Sequence, residues 1–339
     1  DAPRALGERA VRSLARGAKR AGIPLDTGEG GYPKSHLDEG CDLIFQMGTA
    51  KFGVRNEDGS LNDEKLQHLA SQPQVKMIEI KFSQGAKPGK GGLLPKEKIT
   101  TEIAELRGVP MDRDVVSPPG HMECTDAATT VQFIRRVQEV AGIPVGMKMC
   151  IGEPREFERL VQEMKLQGIF PDYVSIDGAE GGTGAAPKSF LDQVGMPLQP
   201  ALHLANEILI ESGLRAKLKL MAAGKLVNAG RMLVAMALGA NACYTARGFM
   251  LSLGCIQALQ CGKNTCPIGI TTHDPQLQRG MDVEAKSRRV ENYVHNLMHD
   301  FEQLLAATGK RSATELTWEN LYIPPETALA ALVTRPLSG

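Results

Sequence analysis

The sequence predicts an α/β protein of the (β/α)8 barrel class, because short apolar runs alternate with helical stretches and glycine-rich segments follow the runs. Successive runs begin roughly 25–45 residues apart, the length of one βα unit. Strands this short and this apolar are typical of a parallel sheet that is covered on both faces. The predicted strands are 42–47, 77–82, 114–117, 145–149, 173–177, 219–223 and 242–246.

Helical periodicity fills the segments between these strands. The predicted helices are 125–140, 153–167, 200–212 and 229–238. A doubly wound open sheet is the structural alternative. The absence of a GxGxxG fingerprint after the first strand favours the barrel over that alternative.

Seven predicted strands are one fewer than a closed barrel needs. The chain opens on a helix-like stretch, 1–21, with no strand before it. We therefore expect either an irregular barrel or a first strand on sequence outside this chain. We assign 1–281 to the barrel and 282–339 to a helical extension that caps it, with 290–305 as its clearest helix.

Composition excludes several classes of function. The 39 basic and 39 acidic residues cancel, so we expect no nucleic-acid partner and no anionic membrane surface as a partner. No stretch of about 18 uncharged apolar residues predicts a membrane segment, and the opening residues do not resemble a secretory signal. Seven cysteines, an odd and sparse number, argue against a disulfide scaffold and for a reducing compartment, by default the cytoplasm.

Three cysteines crowd into one segment, Cys255, Cys261 and Cys266, and a proline follows the last of them. Soft thiolates suit an iron–sulfur cluster or zinc and do not suit magnesium or calcium. Zinc usually takes four ligands, often as C-x2-C pairs, which this spacing does not supply. The alternative to a metal site is a set of inert core cysteines. The segment 254–269 is thus a candidate iron–sulfur loop.

Glycine-rich loops follow four predicted strands, at 83–92, 177–185, 222–225 and 246–248. Glycine lets backbone N–H groups approach an anion, and many barrels bind a phosphate at the last two of these loops. Gly224, Lys225, Arg247 and Gly248 stand where such a phosphate would lie. Flexible loops without a ligand are the alternative.

Lys148 lies inside a predicted central strand. A buried lysine there needs a partner, and it could stabilise a reduced flavin ring. The alternative is a structural ion pair, with Asp177 or Glu180 as its acid.

The segments 84–89, 117–119, 181–185 and 255–269 together resemble the FMN-binding synthase domain of glutamate synthases, in order and spacing, over about 250 residues. The segments 27–31 and 46–54 are similar to the same family. The likeness is greatest to stand-alone members without a glutaminase domain. The resemblance implies a barrel with FMN across its top and a [3Fe–4S] cluster on Cys255, Cys261 and Cys266. It implies an FMN site formed by Gln46, Lys148, Asp177, Glu180, Gly181, Gly182, Thr183, Gly184, Gly224, Lys225, Arg247 and Gly248.

The resemblance also implies the reaction, which is reductive amination of 2-oxoglutarate with hydride from reduced FMN. Lys87 and Arg107 align with residues that hold the substrate carboxylates, and Gln84 joins them. Glu29 aligns with an acid on the substrate side and, with Lys148, is a candidate catalytic residue. The partners implied are a 2-oxoacid with ammonia or an amine, a ferredoxin or an NAD(P)H-dependent reductase subunit, and a glutaminase as a further source of ammonia.

One departure affects the substrate. Family members place a glutamine after the double glycine where this chain has Leu93, so another oxoacid or amine is an alternative to 2-oxoglutarate. The competing hypotheses are an electron-transfer subunit that has lost its substrate site, and a non-catalytic subunit of a larger complex. Related FMN barrels, such as hydroxyacid oxidases and isopentenyl-type isomerases, do not need the three cysteines.

Overall fold

The computed structural model describes residues 6–333, apart from 95, 97, 98, 100, 183–185, 188 and 191, and only the backbone at 93, 94, 102 and 106. The strands are β1 (Leu25–Asp26), β2 (Leu43–Met47), β3 (Val75–Lys81), β4 (Leu93–Leu94), β5 (Val115–Val116), β6 (Val145–Met149), β7 (Tyr173–Asp177), β8 (Lys219–Ala223) and β9 (Ala242–Tyr244). The helices are α1 (Glu8–Ala21), α2 (Lys34–Leu37), α3 (Asp63–Ala70), α4 (Thr101–Arg107), α5 (Ala127–Ala141), α6 (Pro154–Gln167), α7 (Leu198–Ser212), α8 (Ala229–Ala237), α9 (Arg247–Leu253), α10 (Pro275–Gln278), α11 (Val283–Ala307) and α12 (Ala328–Val333). Two short 3-10 helices, Ala313–Glu315 and Trp318–Asn320, precede α12.

The main sheet of the described chain has seven strands in the order β1-β2-β3-β6-β7-β8-β9. Every neighbouring pair in it is parallel. Helices connect the successive strands, as parallel pairing requires. The result is a TIM-barrel-like α/β fold in which β1 and β9 form the two edges of the described sheet, and this confirms the predicted class of fold.

The predicted strand at 114–117 is wrong as a barrel strand. Only Val115–Val116 is extended, and it pairs antiparallel with Leu93–Leu94 in a separate two-stranded sheet. Val116 is 68% exposed, and Val115 packs against the small apolar cluster of Ile99 and Ile103 outside the main core. The main sheet still has seven strands, because β1, which the sequence did not predict, pairs with β2 through Leu25 and Asp26.

Local signals account for the ends of the helices that the sequence predicted well. The Asp126 side chain accepts a hydrogen bond from the Thr129 N–H and begins α5, and Gly142 ends that helix at a φ of +64°. Pro154 occupies the first turn of α6. These are the preferred residues at helix starts and ends.

The core lies between the sheet and the surrounding helices, and alternate strand residues face it. In β3, Ile78 and Ile80 are fully buried in this apolar layer. Glu79 and Lys81 take the alternate positions of the same strand and are also buried. The inner side of the sheet is therefore polar, and its polar side chains are the starting point for the site.

The long helix α11 packs along α1, α8 and α9. Arg16 and Arg20 of α1 form ion pairs with Glu284 of α11. This helix lies inside the predicted extension 282–339, whose boundary at 281/282 remains a prediction. Within the described residues, no helix combines the length and the apolar character needed to cross a membrane.

Candidate active site at the carboxyl ends of the strands

A fully buried carboxylate, Glu79, organises the inner side of the sheet. The Gln46 amide donates to Glu79 Oε1 at 2.8 Å, and the hydroxyls of Ser175 and Tyr244 donate to Oε2 at 2.8 and 2.9 Å. Three donors offset much of the cost of burying a charged carboxylate. Glu79 thereby links strands β2, β3, β7 and β9, and it fixes the orientation of Gln46.

Lys148 lies on β6 beside this network, with its ammonium 5.7 Å from the centre of the Tyr244 ring. Burial acts to lower the pKa of Lys148, but the negative charges of Asp177, Glu79 and Asp26 outweigh burial and raise it. Lys148 is therefore a permanent cation at neutral pH. Burial, followed by repulsion from Glu79, raises the pKa of Asp26 to about 7.

The predicted phosphate loops converge in space. The Gly85 N–H donates to Asp177 Oδ2 at 2.9 Å, and a Cβ added to Gly181 would lie 2.8 Å from the Gly224 Cα. Arg247 Nη2 donates to the Gly182 carbonyl at 3.4 Å and joins the loop after β7 to the start of α9. Gly224 has a φ of +140°, which favours glycine.

A cavity of about 390 Å³ lies between α9 and α11, next to the loop after β9. Gly248 faces this cavity, and the Tyr293 hydroxyl covers Gly248 so closely that an added Cβ would lie 2.0 Å from it. Lys225 has a left-handed backbone, with a φ of +47°. The four predicted phosphate residues thus belong to two adjoining turns at one end of the sheet.

A narrow cationic cleft of about 20 Å³ lies between the loop after β3 and the loop after β5. Lys81 and Glu29 form an ion pair of 3.2 Å at its floor, and Lys81 Nζ donates to Gln84 Oε1 at 2.8 Å. Lys87 lines the same cleft, and burial lowers its pKa. The lining residues are Glu29, Thr49, Lys81, Phe82, Ser83, Gln84, Lys87, Gly89, Lys90, Gly91, Gly92, Pro118 and Pro119.

The sequence did not identify Lys81 or Glu79 as residues of the site, although both are charged and lie in a buried strand. The same signal had identified Lys148. Burial acts to raise the pKa of Glu29, but the charge of Lys81 and the more distant Lys87 lower it to about 2. Glu29 is consequently ionised at neutral pH and is a poor proton donor there.

Arg107 does not line the cleft with Lys87 and Gln84. It is buried, its Nε donates to the Gly30 carbonyl at 3.2 Å, and its guanidinium stacks on the Phe52 ring at 4.3 Å. Arg107 thus supports the backbone beside Glu29.

Glu180 is placed differently from the other predicted FMN residues. Its carboxylate accepts the N–H of Leu198 at 3.0 and 3.1 Å, at the first turn of α7. A carboxylate is favourable at that end of a helix dipole. Its role in cofactor binding remains a prediction, as do those of Thr183 and Gly184, which lie outside the described residues together with the side chain of Leu93.

The three clustered cysteines lie in the loop between α9 and α10. No three His, Cys, Asp or Glu side chains of the described chain lie close enough together to hold one metal ion. The loop nevertheless has features that suit thiolates. The Gln257 N–H donates to Cys255 Sγ at 3.4 Å, and burial of Cys266 is outweighed by N–H groups of Thr271 and its neighbours, which lower its pKa.

The backbone of this loop is strained. Gln257, Leu259 and Asn264 all have a φ of +56° to +60°, a region that residues other than glycine rarely adopt. Strain of this kind persists where a function requires it. Thiolate ligation of a cluster by this loop therefore stays a prediction.

The fold and the site together define a class: an α/β-barrel protein with glycine-rich loops and a cationic cleft at the carboxyl ends of its strands. A family model described as the conserved region in glutamate synthase matches residues 4–311. The chain belongs to the glutamate synthase family.

Two relatives illustrate the likeness. The chain is 40% identical over 322 residues to the glutamate synthase large subunit-like protein YerD of Bacillus subtilis, covering 95% of this chain and 61% of that protein. It is 35% identical to the archaeal glutamate synthase [NADPH] of Methanocaldococcus jannaschii, covering 92% of this chain and 58% of that one. The chain thus spans about 60% of the length of these relatives.

Solved structures show the same fold. A mutant flavocytochrome b2 with benzoylformate aligns with a TM-score of 0.54 over 97% of this chain and 70% of that chain, at 14% identity. A mandelate oxidase with (S)-4-hydroxymandelic acid aligns with a TM-score of 0.53 over 91% of this chain and 74% of that one, at 15% identity.

Proposed function

We propose that this chain is the synthase part of an FMN- and iron–sulfur-dependent oxidoreductase that reductively aminates 2-oxoglutarate or a similar 2-oxoacid. One observation carries the proposal. The cationic cleft opens beside Lys148, because Lys81 at its floor and Lys148 are register partners on adjacent strands. A dicarboxylate held in the cleft would lie next to the cation that suits a reduced flavin.

Lys87 and Gln84 hold the oxoacid in this proposal, and Arg107 shapes the adjoining loop. Lysine and amide donors suit carboxylate oxygens. Because Leu93 stands where family members carry a glutamine, another 2-oxoacid or amine is an alternative to 2-oxoglutarate and ammonia. The ionised Glu29 offsets part of the positive charge of Lys81 and Lys87.

The converging glycine loops would hold the phosphate of FMN, with Gly181, Gly182 and Gly224 giving access to backbone N–H groups and Arg247 adding charge. Gln46 and Asp177 would also contact FMN in this proposal. When bound, FMN supplies hydride and the cluster supplies single electrons. Lys148 holds positive charge where a reduced flavin carries negative charge.

Cys255, Cys261 and Cys266 hold the [3Fe–4S] cluster in this proposal, since three thiolates without a fourth suit a three-iron cluster. The chain has seven cysteines, an odd and sparse number, which argues against a disulfide scaffold and favours a reducing compartment, by default the cytoplasm. The electron donor is a ferredoxin or a reductase subunit that uses NAD(P)H, in line with the names of the archaeal relatives. Ammonia comes from solution or from a glutaminase.

Cofactor content tests the proposal. Anaerobically purified protein should show flavin absorption, about three irons per chain and matching sulfide. Cys261→Ser should lose iron and keep flavin, whereas Cys124→Ser, a matched change at a cysteine outside the loop, should keep both. Flavin without iron in the unmodified protein would contradict the cluster, and protein with neither would contradict the proposed function.

A further inference from the structure

The hydroxyl of Tyr293 joins the two turns that carry the predicted phosphate residues. Tyr293 lies on α11, and its hydroxyl donates to the Val227 carbonyl at 3.0 Å. That bond uses the one proton of the phenol, so the Thr245 hydroxyl donates in the longer contact of 3.4 Å between Thr245 Oγ1 and the phenol oxygen. Val227 follows Lys225 by two residues, and Thr245 precedes Arg247 by two. One side chain therefore ties the turn after β8 to the turn after β9.

The turn after β8 has a backbone that needs such support. Gly224 and Lys225 have φ values of +140° and +47°, and residues other than glycine rarely adopt the second value. Such a conformation persists only where the surrounding structure fixes it. The Val227 N–H donates to the Lys225 carbonyl at 2.9 Å, and the Val227 carbonyl accepts from Tyr293. The phenol therefore holds this turn at its far end.

The approach of Tyr293 also accounts for the glycine at position 248. Gly248 does not have a positive φ, so its backbone conformation alone does not require glycine. An added Cβ would lie 2.0 Å from the Tyr293 hydroxyl oxygen and 2.6 Å from Thr245 Oγ1. The two hydroxyls thus occupy the space that a side chain would need, directly against the backbone of a predicted phosphate residue.

The ring of Tyr293 is held independently of its hydroxyl. It meets the Phe249 ring edge to face, with 5.5 Å between the ring centres. Burial raises the pKa of the phenol, so the hydroxyl stays protonated and remains a donor at neutral pH. A phenylalanine at position 293 would keep the ring contact and lose the two hydrogen bonds.

We propose that Tyr293 is a positioning residue that gives the site its preference for a phosphorylated flavin, an inference that rests on the proposed function. Backbone N–H groups bind an anion when they converge on it. Tyr293 fixes the spacing of the two turns whose N–H groups and cations would converge on the phosphate. The other proposed contacts of the flavin include Gln46 and Lys148, which lie on β2 and β6. Loss of the hydroxyl should therefore weaken binding of FMN and spare riboflavin, which lacks the phosphate.

Flavin binding to the full chain tests the proposal. Protein freed of flavin is titrated with FMN and, separately, with riboflavin, and quenching of flavin fluorescence gives the two dissociation constants. Tyr293→Phe removes the hydroxyl, and Thr245→Val removes the partner in the longer contact. Tyr322→Phe is the matched control, because Tyr322 is 87% exposed.

Tyr293→Phe should bind FMN about 3–10-fold more weakly, the loss expected for one hydrogen bond, and should bind riboflavin as the unmodified protein does. Thr245→Val should show the same pattern with a smaller loss, and Tyr322→Phe should match the unmodified protein with both flavins. Equal weakening of both flavins, as a general loss of structure would give, or an unchanged affinity for FMN would overturn the role of Tyr293. If Tyr293→Phe does not fold, the two affinities of Thr245→Val decide in the same way. Unmodified protein that binds neither flavin would instead contradict the proposed function.

Discussion

At the level of single side chains, the site depends on a balance of buried charge. Glu79 accepts three hydrogen bonds, and Lys148 is held cationic by the carboxylates around it, which raise its pKa. Removal of Lys148 would leave the buried carboxylates Glu79 and Asp177 without this cation, which is costly. The carboxylates around Lys148 thereby maintain the positive charge that the proposed flavin needs.

Lys148→Met should lower the reduction potential of the bound flavin by about 30–60 mV. The figure takes about 1.5–3 kcal/mol for a hydrogen bond to a charged group and about 30 mV for each 1.4 kcal/mol of a two-electron couple. Potentiometric titration of the holoprotein measures it, with Lys165→Met on the exposed face of α6 as the control. A potential equal to that of the unmodified protein would contradict the role of Lys148.

Asp26→Asn should stabilise the protein at alkaline pH. The pKa of Asp26 rises from its ordinary 3.8 to about 7 in the folded state, so the folded protein binds the proton more tightly and loses stability as pH rises through this interval. Asparagine keeps the acceptor that the Gly28 N–H uses. We expect a gain of about 1–3 kcal/mol at about pH 8, discounted for the partial exposure of Asp26.

Urea unfolding at about pH 5 and about pH 8 checks this sign. The advantage of Asp26→Asn should shrink in the more acidic buffer, where the carboxyl of the folded protein is already protonated. A constant difference between the two conditions would show that Asp26 does not titrate in this interval.

At the level of strands and loops, close backbone contacts bring the site together. A Cβ on Gly85 would lie 1.7 Å from the Gly178 carbonyl oxygen, so the loops after β3 and β7 touch through backbone atoms. This contact also positions the Gly85 N–H on Asp177. A side chain at residue 85 would separate the cleft from the glycine loops.

Gly85→Ala should therefore destabilise the protein by about 1–3 kcal/mol, the usual cost of overpacking, and weaken flavin binding. Gly120→Ala is the matched control, because an added Cβ at Gly120 meets no heavy atom within 4 Å. Chemical denaturation and flavin titration of both variants measure the effects. Equal stability of the two variants would show that the loops can separate without cost.

The sequence predicted the strands that are buried on both faces and missed those defined by pairing. β6, β7 and β8 have the predicted bounds, since continuous apolar residues mark them. β1 is two residues long and follows no pattern of its own. Val115–Val116 has the pattern but pairs outside the barrel. β1 is a barrel strand because it pairs with β2, and Val115–Val116 is not one because it pairs with Leu93–Leu94. Neither pairing is visible in the local sequence.

The residues of the candidate site were also predicted only in part. Motif residues such as Lys87, Gly181 and Gly224 were identified and lie in the cleft or the converging loops. Lys81 and Glu79 were missed, because their role depends on the partners that the barrel brings to them. The carboxylate of Glu180 was predicted at the cofactor and reaches the start of α7.

Over the whole molecule, the barrel brings two groups of loops to one end of the sheet. The cationic cleft lies after β3, and the glycine loops lie after β7, β8 and β9. The cysteine loop follows α9, and its Ile256 and Leu259 are 65% and 62% exposed. A redox centre there would be accessible to an electron donor.

The central claim is that this chain joins a 2-oxoacid to an amine using electrons from a flavin, and an anaerobic single-turnover reaction tests it most directly. Photoreduced holoprotein is mixed with 2-oxoglutarate, with ammonia, or with both, while flavin absorbance and glutamate are followed. We expect rapid reoxidation and stoichiometric glutamate only when both substrates are present. Flavin that stays reduced with every 2-oxoacid and amine tried, in protein that carries its full cofactors, would contradict the claim and favour an electron-transfer subunit.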